Sequence, residues 1–241
     1  MTGVYCRSMS INLQHILALE TATPVCSVAL SGSGGKIITR RAEGQGMHAE
    51  QLLPFIRDLL SEGGIEITNL DAVIVSSGPG SYTGLRVASS SVKGLLFGMK
   101  TPVISCNTLA GIAANTFRAH PESRRVHAVL DARRHHLYYQ PFRMYNGLPQ
   151  PEHEMQITEL EKFPGLIAAG EALSGTGIER LADEVTSATS TYGHQIIDAE
   201  GLIHMVNQWS ESGQPDSGII ARTVASEFYP QYYSSGPVMK I

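Results

Sequence analysis

The stretch Gly78-Pro79-Gly80-Ser81-Tyr82-Thr83-Gly84-Leu85-Arg86 follows a compact apolar run, Ala72–Ser77 (AVIVSS), and opens a segment rich in small residues. A short apolar run closed by Gly and Pro reads as a buried strand. Ser81 is a good N-cap, so a helix is expected from Ser81 to Gly98, ended by Gly98 and Pro102. A strand that turns into a helix through glycines aims backbone N–H groups and the positive helix end at one point, which suits a phosphate. Gly78, Gly80, Ser81, Thr83 and Gly84 are the candidate phosphate-binding residues. The stretch is not a Walker A loop, because no Gly-Lys-Ser/Thr follows. Its glycines, at 78, 80 and 84, do not fit GxGxxG, and Ser81 is not flanked as in GxSxG. A capped helix start and an anion site both account for it.

Upstream, HILALE (15–20) and VCSVALS (25–31) flank the turn Thr21-Ala22-Thr23-Pro24, and a third strand-like run spans Lys36 to Arg41 beyond Gly32–Gly35. Two β-rich runs around a tight polar turn read as a hairpin. In sugar-kinase, actin and Hsp70-like proteins a first hairpin of this kind cradles nucleotide phosphates through an Asp and a Gly. Here the acid is Glu20 and the turn lacks glycine, so close backbone approach to a phosphate is harder. HAEQLLPFIRDLL (48–60) places Leu52, Phe55, Ile56, Leu59 and Leu60 at helical spacing, with Pro54 predicting a kink or a late start. A strand over Pro102–Ser105 and a helix over Thr108–Arg118 complete an α/β sheet with an antiparallel start.

The second half is less patterned. Val126–Leu130 and His135–Phe142 read as strands joined through Asp131-Ala132-Arg133-Arg134, and Asn146-Gly147 marks a turn. Gly165–Gly170 is apolar, Ala199–Trp209 is helical in pattern, and Ile219–Phe228 is expected to be a last helix. An acid and a base flanking Ala132 can orient a ligand across a cleft, or simply form a turn with solvated charges.

The 241 residues, 42% hydrophobic and 17% charged, carry a net charge of -4 and a pI near 6.1. That balance excludes a large sequence-independent nucleic-acid footprint, which needs clustered Lys and Arg. Cys6, Cys26 and Cys106 match neither a disulfide framework nor a CxxC metal site. The nine histidines include no HxxxH or HExxH, and His135-His136 would face opposite sides of a strand. No run approaches the roughly 18 apolar residues of a membrane span, and no secretory signal is evident. Residues 1–14, with a second methionine at Met9, differ from the rest and are expected to be a disordered extension or an upstream start. A cytoplasmic location follows as the expectation.

Several of these segments together resemble the TsaB/YeaZ family: ILALETATPVCSVAL (16–30), HAEQLLPFIRDLL (48–60), the strand with GPGSYTGLRV (72–87), KGLLFGMKTPVISCNTLAGIA (93–113) and VLDARRHHLYYQPF (129–142). The likeness covers nearly the whole first half in order and thins after about residue 145. It implies the α/β actin/Hsp70-like ATPase fold, with two RNase H-like lobes of mixed sheets over residues 15–107 and 108–241. The carboxyl-terminal segment is then expected to pack back on the first lobe. It also implies a paralogue of TsaD, the subunit that places threonylcarbamoyl on the adenosine beside the tRNA anticodon. TsaD holds its metal through two histidines four apart; the matching positions here are Thr108 and Ile112, and an isoleucine cannot coordinate a metal.

What the resemblance then implies is a non-catalytic subunit that binds and supports TsaD in forming N6-threonylcarbamoyladenosine next to the anticodon of tRNAs reading codons that start with A. TsaE joins the assembly, tRNA is reached indirectly, and no membrane is involved. ATP or ADP is expected at the assembled complex, with no cofactor or metal held by this chain alone. The implied interface lies on the two helices of the first lobe, at His48, Gln51, Leu52, Phe55, Tyr82, Arg86, Val87 and Ser90, with Gly84 among the small residues that allow close approach. Alone, the same surface is expected to form an isologous dimer. Two departures stand out: the opening acid is Glu20 rather than Asp, and Pro230-Gln231-Tyr232-Tyr233-Ser234 lacks the family's Leu-Arg. A glycoprotease-like peptidase and a small-molecule kinase using Asp131 are the alternative functions.

Overall fold

The computed structural model describes residues 13–32, 34–44, 46–212 and 218–233. The extension expected over residues 1–14 lies almost wholly outside them, as does Cys6. In chain order the elements are β1 (Ile16–Glu20), β2 (Val25–Ser31), β3 (Ile37–Glu43), α1 (Met47–Gly63), β4 (Ala72–Gly78), α2 (Tyr82–Leu95), β5 (Pro102–Asn107) and α3 (Thr108–Ala119). The second half comprises β6 (Val126–Asp131), β7 (His136–Tyr145), β8 (Leu148–Pro151), β9 (Gln156–Glu159), β10 (Ala172–Ser174), α4 (Asp183–Ala188), β11 (Ser190–Tyr192), α5 (Glu200–Ser212) and β12 (Ile220–Val224).

Two sheets share one topology. In the first, β3-β2-β1 run antiparallel, and β4 and β5 follow parallel to β1. In the second, β8-β7-β6 run antiparallel, and β10 and β11 follow parallel to β6. Each sheet has one addition: β12 pairs antiparallel with β5, and β9 with β7. Strand alternation sorts the side chains by face. Ile16 and Ala18 join a core shared with α3, α5 and the second sheet, whereas Leu17 and Leu19 face the layer of α1 and α2. A third cluster around Tyr139, Phe163 and Leu173 lies on the far face of the second sheet. His127, buried beside it, is structural: its ring nitrogens lie 2.9 Å from the Tyr139 hydroxyl and 2.7 Å from Glu171.

The helix boundaries follow local chemistry. Ser81 caps α2 by accepting from the Gly84 N–H at 3.2 Å, and Asn107 caps α3 by accepting from Ala110 at 3.0 Å. Gly64, at φ 63°, ends α1 by donating to the Leu60 and Ser61 carbonyls. α1 starts at Met47, well before Pro54, so the proline does not delay it.

The expected last helix over Ile219–Phe228 is instead strand β12 and a short 3-10 turn, Ala225–Glu227. Its β-branched residues Ile220, Thr223 and Val224 suit an edge strand, and β5 offers an open edge for it. Beyond it Phe228 is buried among the α2 and first-sheet side chains. Truncating it, Phe228→Ala, is expected to cost about 3–5 kcal/mol. Urea unfolding checks this, and a cost under about 1 kcal/mol would mean the tail is not part of the first core.

Candidate functional site

The loop after β4 lies against the β1–β2 turn, and its glycines are set by that contact. A Cβ added at Gly80 would overlap the Ala22 carbonyl oxygen, and one at Gly84 would overlap that of Thr21. Hydrogen bonds close the joint: Ser81 N–H to the Ala22 carbonyl at 2.6 Å, and the Thr21 hydroxyl to the Gly84 carbonyl at 2.9 Å. The Gly78 N–H donates to the Thr108 hydroxyl at 3.1 Å, and the Gln231 carbonyl fills the space where a Gly78 Cβ would be. The Gly78–Pro79 peptide is cis.

These contacts correct the phosphate-cradle reading at three positions. The N–H groups of Gly78, Ser81 and Gly84 are spent inside the protein. Gly80 is required by the Ala22 carbonyl rather than by a ligand, and Thr83 keeps its place in the open first turn of α2. Glu20 also turns inward. Its carboxylate accepts from the Ala22 N–H at 2.9 Å and from the Ser76 hydroxyl. Burial pushes its pKa up to about 7 against the lowering effect of those hydrogen bonds.

A cleft of about 1090 Å³ runs between the two hairpin turns. The first lobe contributes Thr23, His48 and Gly80 to Thr83; the second contributes Leu130 to Arg133, Thr176 and Arg180. Most of its charges are already paired. Arg180 holds Asp131, and His194 lies 3.1 Å from Glu43 and 3.3 Å from Glu179. His48 Nε2 sits 2.8 Å from the Thr23 carbonyl and therefore donates to it. Asp131, held by Arg180 and by the Arg133 N–H at 2.7 Å, is a structural acceptor rather than a free base. The tail closes one end: Tyr232 packs on Tyr82 at 4.9 Å, and the Tyr233 carbonyl accepts from the Tyr138 hydroxyl at 2.8 Å.

Thr108 and Ile112 are both buried, the first bonded to Gly78 and the second in the shared core. Among the described residues no cluster of three His, Cys, Asp or Glu could hold a metal. Cys26 and Cys106 are free and buried, and burial raises both thiols, Cys26 to about 12. Of the expected interface residues, Tyr82, Arg86 and Ser90 are exposed, while His48, Gln51, Phe55 and Val87 are half-buried. Leu52 is corrected: at 1% exposure it belongs to the core beneath α1, because it sits on the helix stripe facing the sheet. Gly84 is likewise buried against Thr21 rather than offered to a partner. Thr176, Glu179, Arg180, His194, Tyr232 and Tyr233 had no local sequence signal. Only the repeated topology, which sets the loop after β10 opposite the loop after β4, would have pointed to Thr176.

Two lobes of one topology facing each other across a cleft define the actin/Hsp70-like ATPase class of fold. A family model described as "TsaD: tRNA N6-adenosine threonylcarbamoyltransferase" matches residues 36–204. The chain belongs to this family, in its TsaB (YeaZ) branch. It is 37% identical over 124 residues to the tRNA threonylcarbamoyladenosine biosynthesis protein TsaB of Haemophilus influenzae, covering 52% of each chain. It is 34% identical over 140 residues to the Escherichia coli protein of the same name, covering 56% of this chain and 58% of that one. The chain thus spans about half the length of these curated relatives. The solved structure of YeaZ from Pseudomonas aeruginosa superposes with a TM-score of 0.75 at 27% identity, over 92% of this chain and 100% of that one.

Two outcomes test the joint. Gly84→Ala should destabilise the folded chain by roughly 2 kcal/mol or more, because backbone rather than a flexible side chain must move; an unchanged urea midpoint would refute the contact. Glu20 gives a pH signature. With its folded pKa above the ordinary 4.5, its contribution is fully present below about pH 4.5 and is lost as pH rises through about 7. The wild-type chain should therefore lose up to about 3 kcal/mol relative to Glu20→Gln between about pH 4.5 and pH 8. Parallel stability curves for the two proteins would contradict the burial of that carboxyl.

Proposed function

We propose that this chain is a non-catalytic subunit that pairs with a TsaD-type catalytic subunit and supports formation of N6-threonylcarbamoyladenosine beside the anticodon of tRNAs reading codons that start with A. The observation that carries this reading is the outer face of α1 and α2. In a chain whose α3 and α5 are enclosed between two sheets, Leu53 on α1 is 50% exposed, Tyr82 at the cleft end of α2 54%, and Phe97, just past the other end of α2, 88%. Large apolar side chains left exposed along the two helices of one lobe favour coverage by a partner. Arg86, bonded to the Tyr82 hydroxyl at 2.9 Å, adds a polar anchor at its edge.

The non-catalytic role is supported by Thr108 and Ile112, whose side chains are committed to packing at the positions where the catalytic paralogue needs metal-binding histidines. A peptidase reading is disfavoured because the Ser81 hydroxyl caps α2, and a kinase reading because Asp131 is held by Arg180. TsaE and ATP or ADP join at the assembled complex in the cytoplasm, tRNA is reached through the partner, and α1 and α2 pair two copies of this chain when it is alone. No helix among the described residues is long and apolar enough to cross a membrane.

The test is copurification with the TsaD-type subunit, together with reconstitution of tRNA threonylcarbamoylation with and without this chain. Modification that proceeds equally well in its absence would sink the proposal. Ser90→Trp, at an exposed position of α2, should weaken pairing by about 10-fold or more while leaving thermal stability unchanged. An intact heterodimer of that variant on size-exclusion chromatography would remove α2 from the interface.

A further inference from the structure

α2 and the turn that follows it are one-sided in charge. Residues 81–100 contain Arg86, Lys93 and Lys100, three of the chain's 18 Lys and Arg, and none of its 22 Asp and Glu. The segment is thus +3 within a chain of net -4, which leaves -7 for all the rest. Arg86 and Lys93 lie seven residues apart, so they share one stripe of the helix at a separation of about 10 Å along its axis. Among the described residues neither has a carboxylate partner. Each is seated on a ring instead: the Arg86 guanidinium 5.4 Å from the centre of Tyr82, and the Lys93 ammonium 3.9 Å from that of Tyr229.

Tyr229 lies in the tail after β12, which buries Phe228 in the core beneath α2 and lays Tyr232 on Tyr82 at 4.9 Å. The tail therefore steadies both cations, Lys93 directly and Arg86 through Tyr82, and neutralises neither. α1, the other helix of the layer, is different. Its Arg57 pairs with Asp58 at 3.0 Å and its Glu62 with Arg40, which leaves Glu50 as the acid of α1 without an ion pair among the described residues. Two fixed cations on an exposed helix call for opposite charge in whatever covers them, because a charge buried without a partner is costly.

We propose that the partner surface meeting α2 is acidic, with carboxylates opposed to Arg86 and Lys93, and that these two cations favour that partner over a second copy of this chain. The inference rests on the pairing role proposed above and adds the chemistry of the surface that fills it. In an antiparallel twofold pairing of α2 with itself about an axis near the exposed Ser90, Arg86 of one copy meets Lys93 of the other. Like charges then oppose self-association, whereas an acidic face is drawn in. RNA is the other anionic occupant. Three cations on a chain whose remainder is -7 are too few to track a phosphate backbone, and Phe97, one turn beyond Lys93, suits a protein contact that excludes water.

The test is a salt series on the full chain, from about 50 to 500 mM, a range over which exposed charges pass from weakly to strongly screened. Affinity for the TsaD-type subunit should fall about tenfold or more across it, while self-association of the chain alone should strengthen. At low salt the double variant Arg86→Glu with Lys93→Glu should pair about tenfold or more weakly and keep its thermal midpoint, and Lys93→Arg, which retains the charge, should pair like the wild type. Should the double variant fail to fold, the wild-type salt series decides. Pairing that is indifferent to salt, or undiminished in a folded double variant, overturns the acidic-surface inference and leaves the pairing role standing. Absence of wild-type pairing at every salt concentration sinks the pairing role and this inference with it. Binding of a short single-stranded RNA by the chain alone, lost in the double variant, would give the face to nucleic acid and overturn the inference as well.

Discussion

The contact on which the first lobe depends is backbone against backbone. The turn between β1 and β2 presents the carbonyls of Thr21 and Ala22 to the loop after β4, and only glycine at 84 and 80 leaves them room. Once the two chains touch, the Ser81 N–H and the Thr21 hydroxyl tie them together, and the Ser81 side chain starts α2. Glu20 stands beneath this joint and holds the turn by the Ala22 N–H. The position and direction of α2 therefore follow from a contact in the interior, and with them the outer layer that α2 forms with α1.

The second lobe solves the same problem with different residues. A Cβ at Gly175, after β10, would overlap the Val129 carbonyl of β6, as one at Gly80 would overlap Ala22. The two joints face each other across the cleft. What differs is the turn each presents. The first has hydroxyls and a proline and no residue in left-handed backbone, whereas the second holds Arg133 and Arg134 in that region. Duplicated topology has thus left one turn uncharged and the other strongly basic.

The first lobe was legible in the sequence because its signals are local. Apolar runs bounded by Gly and Pro marked β1, β2 and β4, and Ser81 marked the start of α2. The second lobe was less so, since β10 and β11 have three residues each, too few for a period to emerge. β12 was misread as a helix because its strand character comes from the free edge of β5, a tertiary fact. The glycines of the 78–86 stretch were correctly singled out but for a ligand's sake. Carbonyls of a turn more than fifty residues earlier in the chain impose the same demand for a missing Cβ, and spacing alone does not distinguish them.

The paired state of the cleft bears on where function resides. Asp131 with Arg180, and His194 between Glu43 and Glu179, leave few free charges inside it, and Arg41 and the Tyr138–Tyr233 bond hold the lobes at its ends. Within the cleft the acids hold the walls in place. The most exposed large apolar side chains of the first lobe, Leu53 and Phe97, lie outside it.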